Sequence, residues 1–295
     1  MIEQIVTPVT HDLGAFKVRR ALPARERTMV GPFIFVDQFG PAQMQPGEGM
    51  DVRPHPHINL ATVTYLFDGA IQHKDSLGSD QRIEPGAINL MTAGKGIVHS
   101  ERSPADSRRQ GPSFYGMQTW LALPDGKEEI DPAFAHVPEE GLPLVEGEGA
   151  AVRVLMGTLF GSTASTICHS PTIYADIMLS AGASLAIDAE ADERAIMVTE
   201  GSAELDGERL EPFSLYVLAP GHRPVLSASS PARAMLLGGG AFATRRHVYW
   251  NFVSSSKNRI QQAKEDWIER RFPLVPGDEE EFIPFPAVPK TVSYP

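Results

Sequence analysis

Two short pairs of side chains have the residue types and the spacing to bind a metal ion: His55 with His57, and His99 with Glu101. The members of each pair are two positions apart, so on a β-strand both point to the same face of the sheet. If both segments are strands of one small barrel, three imidazoles and one carboxylate converge inside it. These donors suit iron, manganese, nickel, copper or zinc and leave positions free on a six-coordinate ion. The spacing therefore predicts a mononuclear metal centre open to substrate.

The surrounding sequence predicts short strands that carry these pairs. The first pair directly precedes the apolar run at 61–67, which ends in an Asp-Gly turn, and the second pair follows the apolar run at 88–91. Metal ligands at the ends of adjacent short strands joined by glycine turns are typical of a cupin-type β-barrel. The alternative is that these histidines are ordinary hydrogen-bonded core or surface residues, because a His-x-His pair alone is a weak signal.

Composition limits the class of protein. The chain has 295 residues, enough for two cores, and its 26 glycines and 25 prolines favour a fold of turns and strands. A net charge of −11 argues against direct nucleic-acid binding and against a basic membrane patch. The sequence shows no signal peptide and no apolar run long enough to span a membrane. The chain has a single cysteine, Cys168, so it cannot form an internal disulfide, and we therefore expect a cytoplasmic protein. Cys168 itself is expected to be a small buried hydrophobic residue.

The chain also contains a weak internal repeat. Segments 65–96 and 196–221 share one order of apolar runs, acidic-Gly turns and an Arg-x-Glu-Pro motif. When the two segments are aligned, the positions of the four candidate ligands are occupied by residues that cannot bind a divalent metal: Ile187, Ala189, Leu226 and Ala228. His222 lies nearby, with no histidine or acid at ligand spacing. The repeat predicts two similar barrels, of which only the first binds metal.

These patterns predict a mainly β fold, made of two cupin-type β-barrels (double-stranded jelly rolls) and a C-terminal helix. We expect an N-terminal metal-binding domain at 1–131, a linker at 132–149, a metal-free barrel at 150–242 and a helical tail at 243–295 that packs on the barrels.

Only the tail has clear helical periodicity. Ile260, Ala263 and Trp267 fall on one face of a predicted helix. One of the serines at 254–256 is expected to be its N-cap, and Phe272-Pro273 is expected to end it.

Several segments resemble the pirin family. They are RPHPHINLATVTYLFDGAIQHKDSLGS with EPGAINLMTAGKGIVHSER, the entry VGPFIFVDQFGP, and a tail with VYWNFVSSSKNRIQQAKEDW and FPLVPGDEEEFIPFP. Pirins are two-domain cupins with a metal, usually iron, in the N-terminal barrel. The resemblance carries the family's ligands onto His55, His57, His99 and Glu101. In one departure this chain has Ala61 where many cupins have a glutamate, which leaves Glu101 as the carboxylate.

The resemblance also implies an activity, quercetin 2,3-dioxygenase, in which a flavonol and O₂ give a depside and carbon monoxide. Glu101 would act as the general base beside Fe(II), although manganese, nickel, copper and zinc also fit the donor set. Candidate residues for an apolar substrate pocket, each with core packing as the alternative, are Phe33, Phe35, Phe39, Phe114, Tyr115 and Met117. His73 is expected either behind the ligands or facing solvent, and Gln118 and Trp120 could border the cavity.

Two other functions remain open from the sequence. Some pirins are regarded as non-catalytic, iron-dependent redox regulators that bind a transcription factor or a metabolic enzyme, and the acidic segment 277–281 could form such a contact. A third possibility is a cupin that acts on another small phenolic substrate. A cavity of several hundred Å³ beside the metal would favour an enzyme.

Overall fold

The structure, a computed structural model, describes residues 1–12, 16–188, 190–287 and 291–292. Strands make up most of its regular structure, and the predicted mainly β fold is confirmed. Within the described ranges, no helix has both the length and the apolar character needed to cross a membrane.

The elements fall into two halves and a tail. The first half contains β1 (Ile2–Val6), β2 (Val9–Asp12), β3 (Lys17–Leu22), β4 (Phe33–Gln43), β5 (Asp51–His57), β6 (Leu60–Gly69), β7 (Ile71–Asp75), β8 (Asp80–Ile83), β9 (Ile88–Thr92), β10 (Ile97–Arg102), α1 (Ala105–Gln110) and β11 (Ser113–Ala122). The remainder contains β12 (Ala133–Val137), a 3-10 turn (Glu139–Gly141), β13 (Leu144–Gly147), β14 (Ala150–Met156), β15 (Thr158–Leu159), β16 (Ser162–Thr163), β17 (Thr172–Leu179), β18 (Ser184–Ala186), β19 (Glu193–Glu200), β20 (Glu204–Leu205), β21 (Glu208–Arg209), β22 (Leu215–Leu218), β23 (Val225–Ser227), β24 (Ala232–Gly239), β25 (His247–Tyr249), β26 (Phe252–Ser254), α2 (Lys257–Ile268) and β27 (Thr291–Val292).

The first barrel consists of two antiparallel sheets. The larger sheet has the strand order β12-β9-β6-β11-β4-β3-β2, and the smaller has the order β5-β10-β7-β8. Side chains from the two sheets pack together, for example Phe39 and Leu66 of the larger with Ile71 and Ile83 of the smaller. The smaller sheet contains both candidate ligand pairs, so its inner face is where a metal site would form.

The second barrel repeats this plan. Its larger sheet has the order β1-β22-β19-β24-β17-β14-β13, and its smaller sheet the order β18-β23-β20-β21. The first strand of the chain belongs to this barrel, because Ile5 of β1 pairs with Tyr216 of β22. The domain expected at 1–131 therefore differs from the structure at its start, where β1 extends the sheet of the other barrel.

The segment expected to be a linker contributes to both barrels. β12 pairs with β9, with Ala135 opposite Leu90, and β13 pairs with β14, with Val145 opposite Val152. Residues 132–149 thus join the halves while adding one edge strand to each. The tail expected to be helical also contains strands, which form a small sheet with the order β26-β25-β27.

The C-terminal helix forms close to where its periodicity predicts. Ser256 is the N-cap, and its hydroxyl accepts a hydrogen bond from the N–H of Arg259 at 3.3 Å. Ile260 and Ala263 are buried on one face. The expected end at Phe272-Pro273 is wrong: the helix ends at Ile268, because Arg270 adopts a left-handed conformation (φ 55°) that turns the chain away.

The two large sheets pack against each other across one shared hydrophobic core. From the first barrel this core includes Tyr65 and Met117, and from the second Tyr174 and Met197. A buried polar contact also links the barrels, since the hydroxyl of Tyr65 donates to Asp176 Oδ2 at 2.8 Å. β6 therefore has one face on this shared core and the other on the interior of the first barrel.

Candidate metal centre

Strand pairing brings the two predicted ligand pairs together. β5 carries His55 and His57, β10 carries His99 and Glu101, and the strands are antiparallel neighbours with His99 directly opposite His55. The β5–β10 pairing has an irregularity between His99 and Glu101, which shifts the register at the carboxylate. All four side chains are buried. The strand register thus brings both predicted pairs into the interior of one barrel, and that all four residues bind one ion stays a prediction.

The three imidazoles form one compact group. Each offers a ring nitrogen, and these atoms lie within 4.8 Å of one another. His57 Nε2 and His99 Nε2 are 3.1 Å apart. Two ligands about 2.1 Å from a metal and at right angles to each other would stand about 3 Å apart. The separation of the His57 and His99 nitrogens therefore fits two ligands of one metal ion.

Backbone carbonyls fix the protonation of two of these rings. His55 Nδ1 donates to the carbonyl of Arg53 at 2.9 Å, and His57 Nδ1 donates to the carbonyl of Asn251 at 3.1 Å. In a neutral imidazole the other nitrogen, Nε2, then carries the free lone pair that a metal requires. Carbonyl acceptors behind metal-bound histidines are a common feature of metal sites. The Asn251 contact comes from the tail, and nothing in the local sequence pattern indicated it.

Burial also keeps the imidazoles uncharged. Desolvation lowers the pKa of His55 to about 4, and it lowers the pKa values of His57 and His99 well below the ordinary value. Neutral imidazole is the form that binds metals. Burial has the opposite effect on Glu101 and raises the pKa of its carboxyl group, while the neighbouring His73 and Thr64 partly counteract the shift.

Glu101 lies to one side of the three-histidine group. It belongs to a second group with His73 and His99, whose ligand atoms are also within 4.8 Å of one another. His99 is therefore common to both groups. The alternative of a solvent-facing His73 is wrong, since its side chain is only 3% exposed and hydrogen-bonds through Nε2 to Asp75 Oδ2 at 3.2 Å.

Asp75 is a residue that the sequence analysis missed. It stands two positions after His73 on β7, so both side chains point to the same face. This is the spacing that singled out the ligand pairs on β5 and β10. The same rule, applied to every His-x-acid pair, would have singled out His73 and Asp75 as a pair on one face of a strand.

Phe35 and Trp120 border a cavity whose lining includes none of the four candidate ligands. The rings of Phe35 and Trp120 are stacked 4.0 Å apart, and Trp120 lies edge-on to the ring of His57 at 5.0 Å. Both residues, with Trp250 and Arg20, line a cavity of about 330 Å³. The indole of Trp120 therefore lines the cavity and also contacts His57, a candidate ligand.

The other pocket candidates have structural roles. None of them lines this cavity, so the alternative of core packing applies to five residues: Phe33, Phe39, Phe114, Tyr115 and Met117. Strand alternation turns Met117 toward the core between the barrels, and Phe33 packs in the same core beyond an irregularity in the β11–β4 pairing. Gln118 faces the interior, where its Oε1 accepts a hydrogen bond from Thr64 at 2.8 Å. Cys168 is only partly buried, at the edge of the shared core.

The acidic segment at 277–281 packs partly on the metal-site strand. Arg102, the residue after Glu101, donates to both carboxylate oxygens of Asp278 and to Glu281. Nearby, the N–H of Ile283 donates to the carbonyl of Pro54 at 2.8 Å. Part of the segment that was considered as a protein contact is therefore engaged within the chain.

The second barrel has an aliphatic interior at the corresponding positions. Ile187, Leu226 and Ala228 are buried in its core, while Ala189 lies outside the described residues. His222 pairs with Asp206, with Nε2 and Oδ2 2.7 Å apart. Across the described ranges, the groups of three or more potential ligands lie in the first barrel.

Comparisons with known proteins agree with both barrels. The family model described as Pirin matches residues 15–121, and the model described as Pirin C-terminal cupin domain matches residues 174–273. The chain belongs to the pirin family. A pirin-like protein of Caulobacter vibrioides is 46% identical over 291 residues, covering 97% of this chain and all of the relative. A pirin-like protein of Solanum lycopersicum is 30% identical, with 90% of each chain covered.

A solved structure shows the same fold. The crystal structure of quercetin 2,3-dioxygenase from Acinetobacter baumannii matches with a TM-score of 0.90 and 33% sequence identity, covering 98% of this chain and 96% of that one. The predicted pair of cupin barrels with a C-terminal helix is therefore confirmed, as is the resemblance to pirins.

Proposed function

We propose that this protein is a metal-dependent dioxygenase of the quercetin 2,3-dioxygenase type, with one metal held by His55, His57, His99 and Glu101. The observation that carries the proposal is the buried cluster of three neutral imidazoles. Trp120, whose ring contacts His57, also lines a cavity, although none of the four proposed ligands does so. A cavity of about 330 Å³ is at the lower end of the range for small-molecule sites, about 300–1,000 Å³. The name of the Acinetobacter relative points to the same activity.

Fe(II) is the metal we propose, and the same donors would accept manganese, nickel, copper or zinc. When bound, the metal supplies Lewis acidity, which lowers the pKa of a coordinated flavonol hydroxyl, and a position for O₂. The carbonyls of Arg53 and Asn251 hold two imidazoles in the tautomer that this requires. The reaction consumes one O₂ for each flavonol and releases one carbon monoxide, with both atoms of O₂ retained in the depside.

Glu101 is the residue we propose as the general base. Its carboxylate is buried beside His99, where it can accept the proton of the flavonol hydroxyl at an Oε atom. Trp120 and Phe35 would contact the planar ring system from the cavity wall. Because these aromatic rings are almost entirely buried, they would also keep water away from the reacting atoms.

The test is oxygen uptake with quercetin after anaerobic reconstitution with Fe(II). Wild type should consume O₂ and bleach the flavonol with release of carbon monoxide, and His99→Ala should lose both iron and turnover. His222→Ala is the matched control, since this histidine lies in the second barrel, and it should behave like wild type. Stoichiometric iron without turnover would overturn the dioxygenase proposal and favour a redox regulator or another phenolic substrate.

A further inference from the structure

The hairpin formed by β25 and β26 brings the C-terminal tail to the back of the metal cluster. A two-residue turn, Trp250-Asn251, joins its strands. The carbonyl of Asn251 accepts the hydrogen bond from His57 Nδ1 at 3.1 Å. Phe252 forms a β-bridge with Ile58, the residue after His57, and both are fully buried. The turn is therefore held against the end of the strand that carries a candidate ligand.

Trp250 has a backbone conformation that is unfavourable for its side chain. Its φ is 54°, in the left-handed region, where a bulky residue costs free energy and glycine does not. Two-residue hairpin turns that begin with a left-handed residue favour glycine, asparagine or aspartate at that position. A tryptophan in this conformation points to a role for its side chain.

The indole of Trp250 contacts its surroundings on two sides. It packs edge-on against Phe252 and Phe285, with ring centroids 5.4 and 5.2 Å away. It also lines the cavity of about 330 Å³, whose wall includes Phe35 and Trp120. These contacts fix the indole, and they limit the movement of the backbone that follows it. The next residue along the chain supplies the carbonyl that meets His57.

We propose that Trp250 is a positioning residue for His57. Its indole holds the turn in place, so that the carbonyl of Asn251 accepts from Nδ1 and fixes the orientation of the imidazole. The Nε2 atom of His57 is then directed toward the other two histidines, where a metal would bind. The inference rests on the proposed metal site but not on the flavonol reaction. The rival role is that Trp250 only packs in the tail.

Proton NMR of the metal-free protein tests the contact itself. A buried imidazole N–H that donates to a carbonyl exchanges slowly with water, so the Nδ1–H protons of His55 and His57 should be visible at neutral pH. His55→Gln and His57→Gln assign the two signals. Trp250→Gly suits the left-handed φ but lacks the indole. It should broaden or remove the His57 signal and leave that of His55, which donates to Arg53.

Binding of Co(II) alone measures the consequence for the metal site, because the visible spectrum of Co(II) responds to its ligands. Trp250→Gly should weaken Co(II) binding about tenfold, the lower end of the effect of groups that orient metal ligands. Phe160→Gly is the matched control and should bind Co(II) like wild type. Phe160 is also an aromatic residue with a left-handed φ (50°) at the start of a two-residue turn, but it lies in the second barrel.

Trp250→Phe is the second variant in case Trp250→Gly does not fold. It keeps an aromatic ring at the same backbone position, so a smaller loss of Co(II) affinity is expected, again with the His55 signal retained.

An unchanged His57 signal or an unchanged Co(II) affinity in Trp250→Gly would overturn the inference and make Trp250 a packing residue. Loss of the His55 signal together with that of His57 would also overturn it, because the substitution would then disturb the whole site. If wild type itself binds no Co(II), the proposed metal site fails. The NMR comparison would still decide whether Trp250 holds the carbonyl of Asn251 on His57.

Discussion

The smaller sheets of the two barrels have the same strand order but opposite interiors. In the first barrel, β5-β10-β7-β8 buries His57, His99 and Glu101. In the second barrel, β18-β23-β20-β21 buries Leu205 and Leu226 at the centre of an aliphatic core. One backbone plan therefore supports either a polar cluster or a hydrophobic core.

The comparison shows that the fold does not need imidazoles at this place. Burial disfavours the charged forms of the polar side chains in the first barrel, as the lowered pKa values of its histidines and the raised pKa of Glu101 indicate. Leucine at equivalent positions carries no such cost. The first barrel thus gives up stability that the second retains, and metal binding is the compensation that we propose.

The largest effect is expected when a carboxylate is introduced into the aliphatic interior of the second barrel. Leu226→Glu places a carboxylate without partners in the aliphatic core, where Leu226 is fully buried. We expect the free energy of unfolding to fall by about 3–5 kcal/mol, as measured by urea denaturation. Val225→Glu is the matched control, because Val225 is the preceding residue and is 42% exposed, and it should change stability by less than about 0.5 kcal/mol.

If Leu226→Glu and Val225→Glu lowered the free energy of unfolding equally, the contrast between the two barrel interiors would be wrong. They would mean that the second barrel admits water or relaxes around a charge as readily as the surface does.

The fold and the ligand pairs follow from the sequence because they depend on local rules. The spacing of two residues in His55/His57 and in His99/Glu101 places each pair on one face of a strand, and the internal repeat places aliphatic residues at the matching positions of the second half. Gly turns mark the strand ends. The ligand pairs and the turns involve residues a few positions apart, and the repeat compares two segments of the same chain, so one sequence is sufficient to recognise them.

Contacts between distant segments could not be predicted in this way. The carbonyl of Asn251 that orients His57 is 194 positions away in the chain, and β1 joins the second barrel rather than the first. Phe33 and Phe35 are two positions apart on β4, so alternation alone would place them on one face, yet Phe33 packs in the shared core and Phe35 lines a cavity. The β11–β4 pairing is irregular between the partners of these two residues. Both are aromatic residues of the same strand, so composition does not separate them.

The acid response of the metal-free protein is the next test of the difference between the barrels. Because the folded-state pKa values of His55, His57 and His99 lie below the unfolded value of about 6.5, the unfolded chain binds more protons below that pH. Stability should therefore fall as the pH drops from about 6.5 toward the pKa of about 4 given for His55. Each imidazole contributes about 1.4 kcal/mol per pH unit.

Glu101 acts in the opposite direction: because its pKa is raised in the folded state, its protonation in acid favours the folded protein. The three imidazoles together outweigh this one carboxyl group. Urea denaturation of metal-free protein across this pH range measures the slope. His99→Leu should reduce it, because it removes one of the three buried imidazoles. A slope that His99→Leu does not alter would show that the buried histidines are not its source.

The smallest effect is expected from making the first barrel resemble the second. In the metal-free protein His99→Leu removes a buried Nδ1 that lacks a hydrogen-bond partner, which stabilises, and it removes the 3.1 Å contact with His57 Nε2, which destabilises. We expect these effects nearly to cancel, so that the free energy of unfolding measured by urea denaturation changes by less than about 1 kcal/mol, although Co(II) binding is lost.

Leu226→Ala, the matched core substitution in the second barrel, should lower the free energy of unfolding by about 2–5 kcal/mol. A loss of that size in His99→Leu would mean that the imidazole cluster stabilises the barrel without metal, and the contrast between the two interiors would then concern packing rather than chemistry.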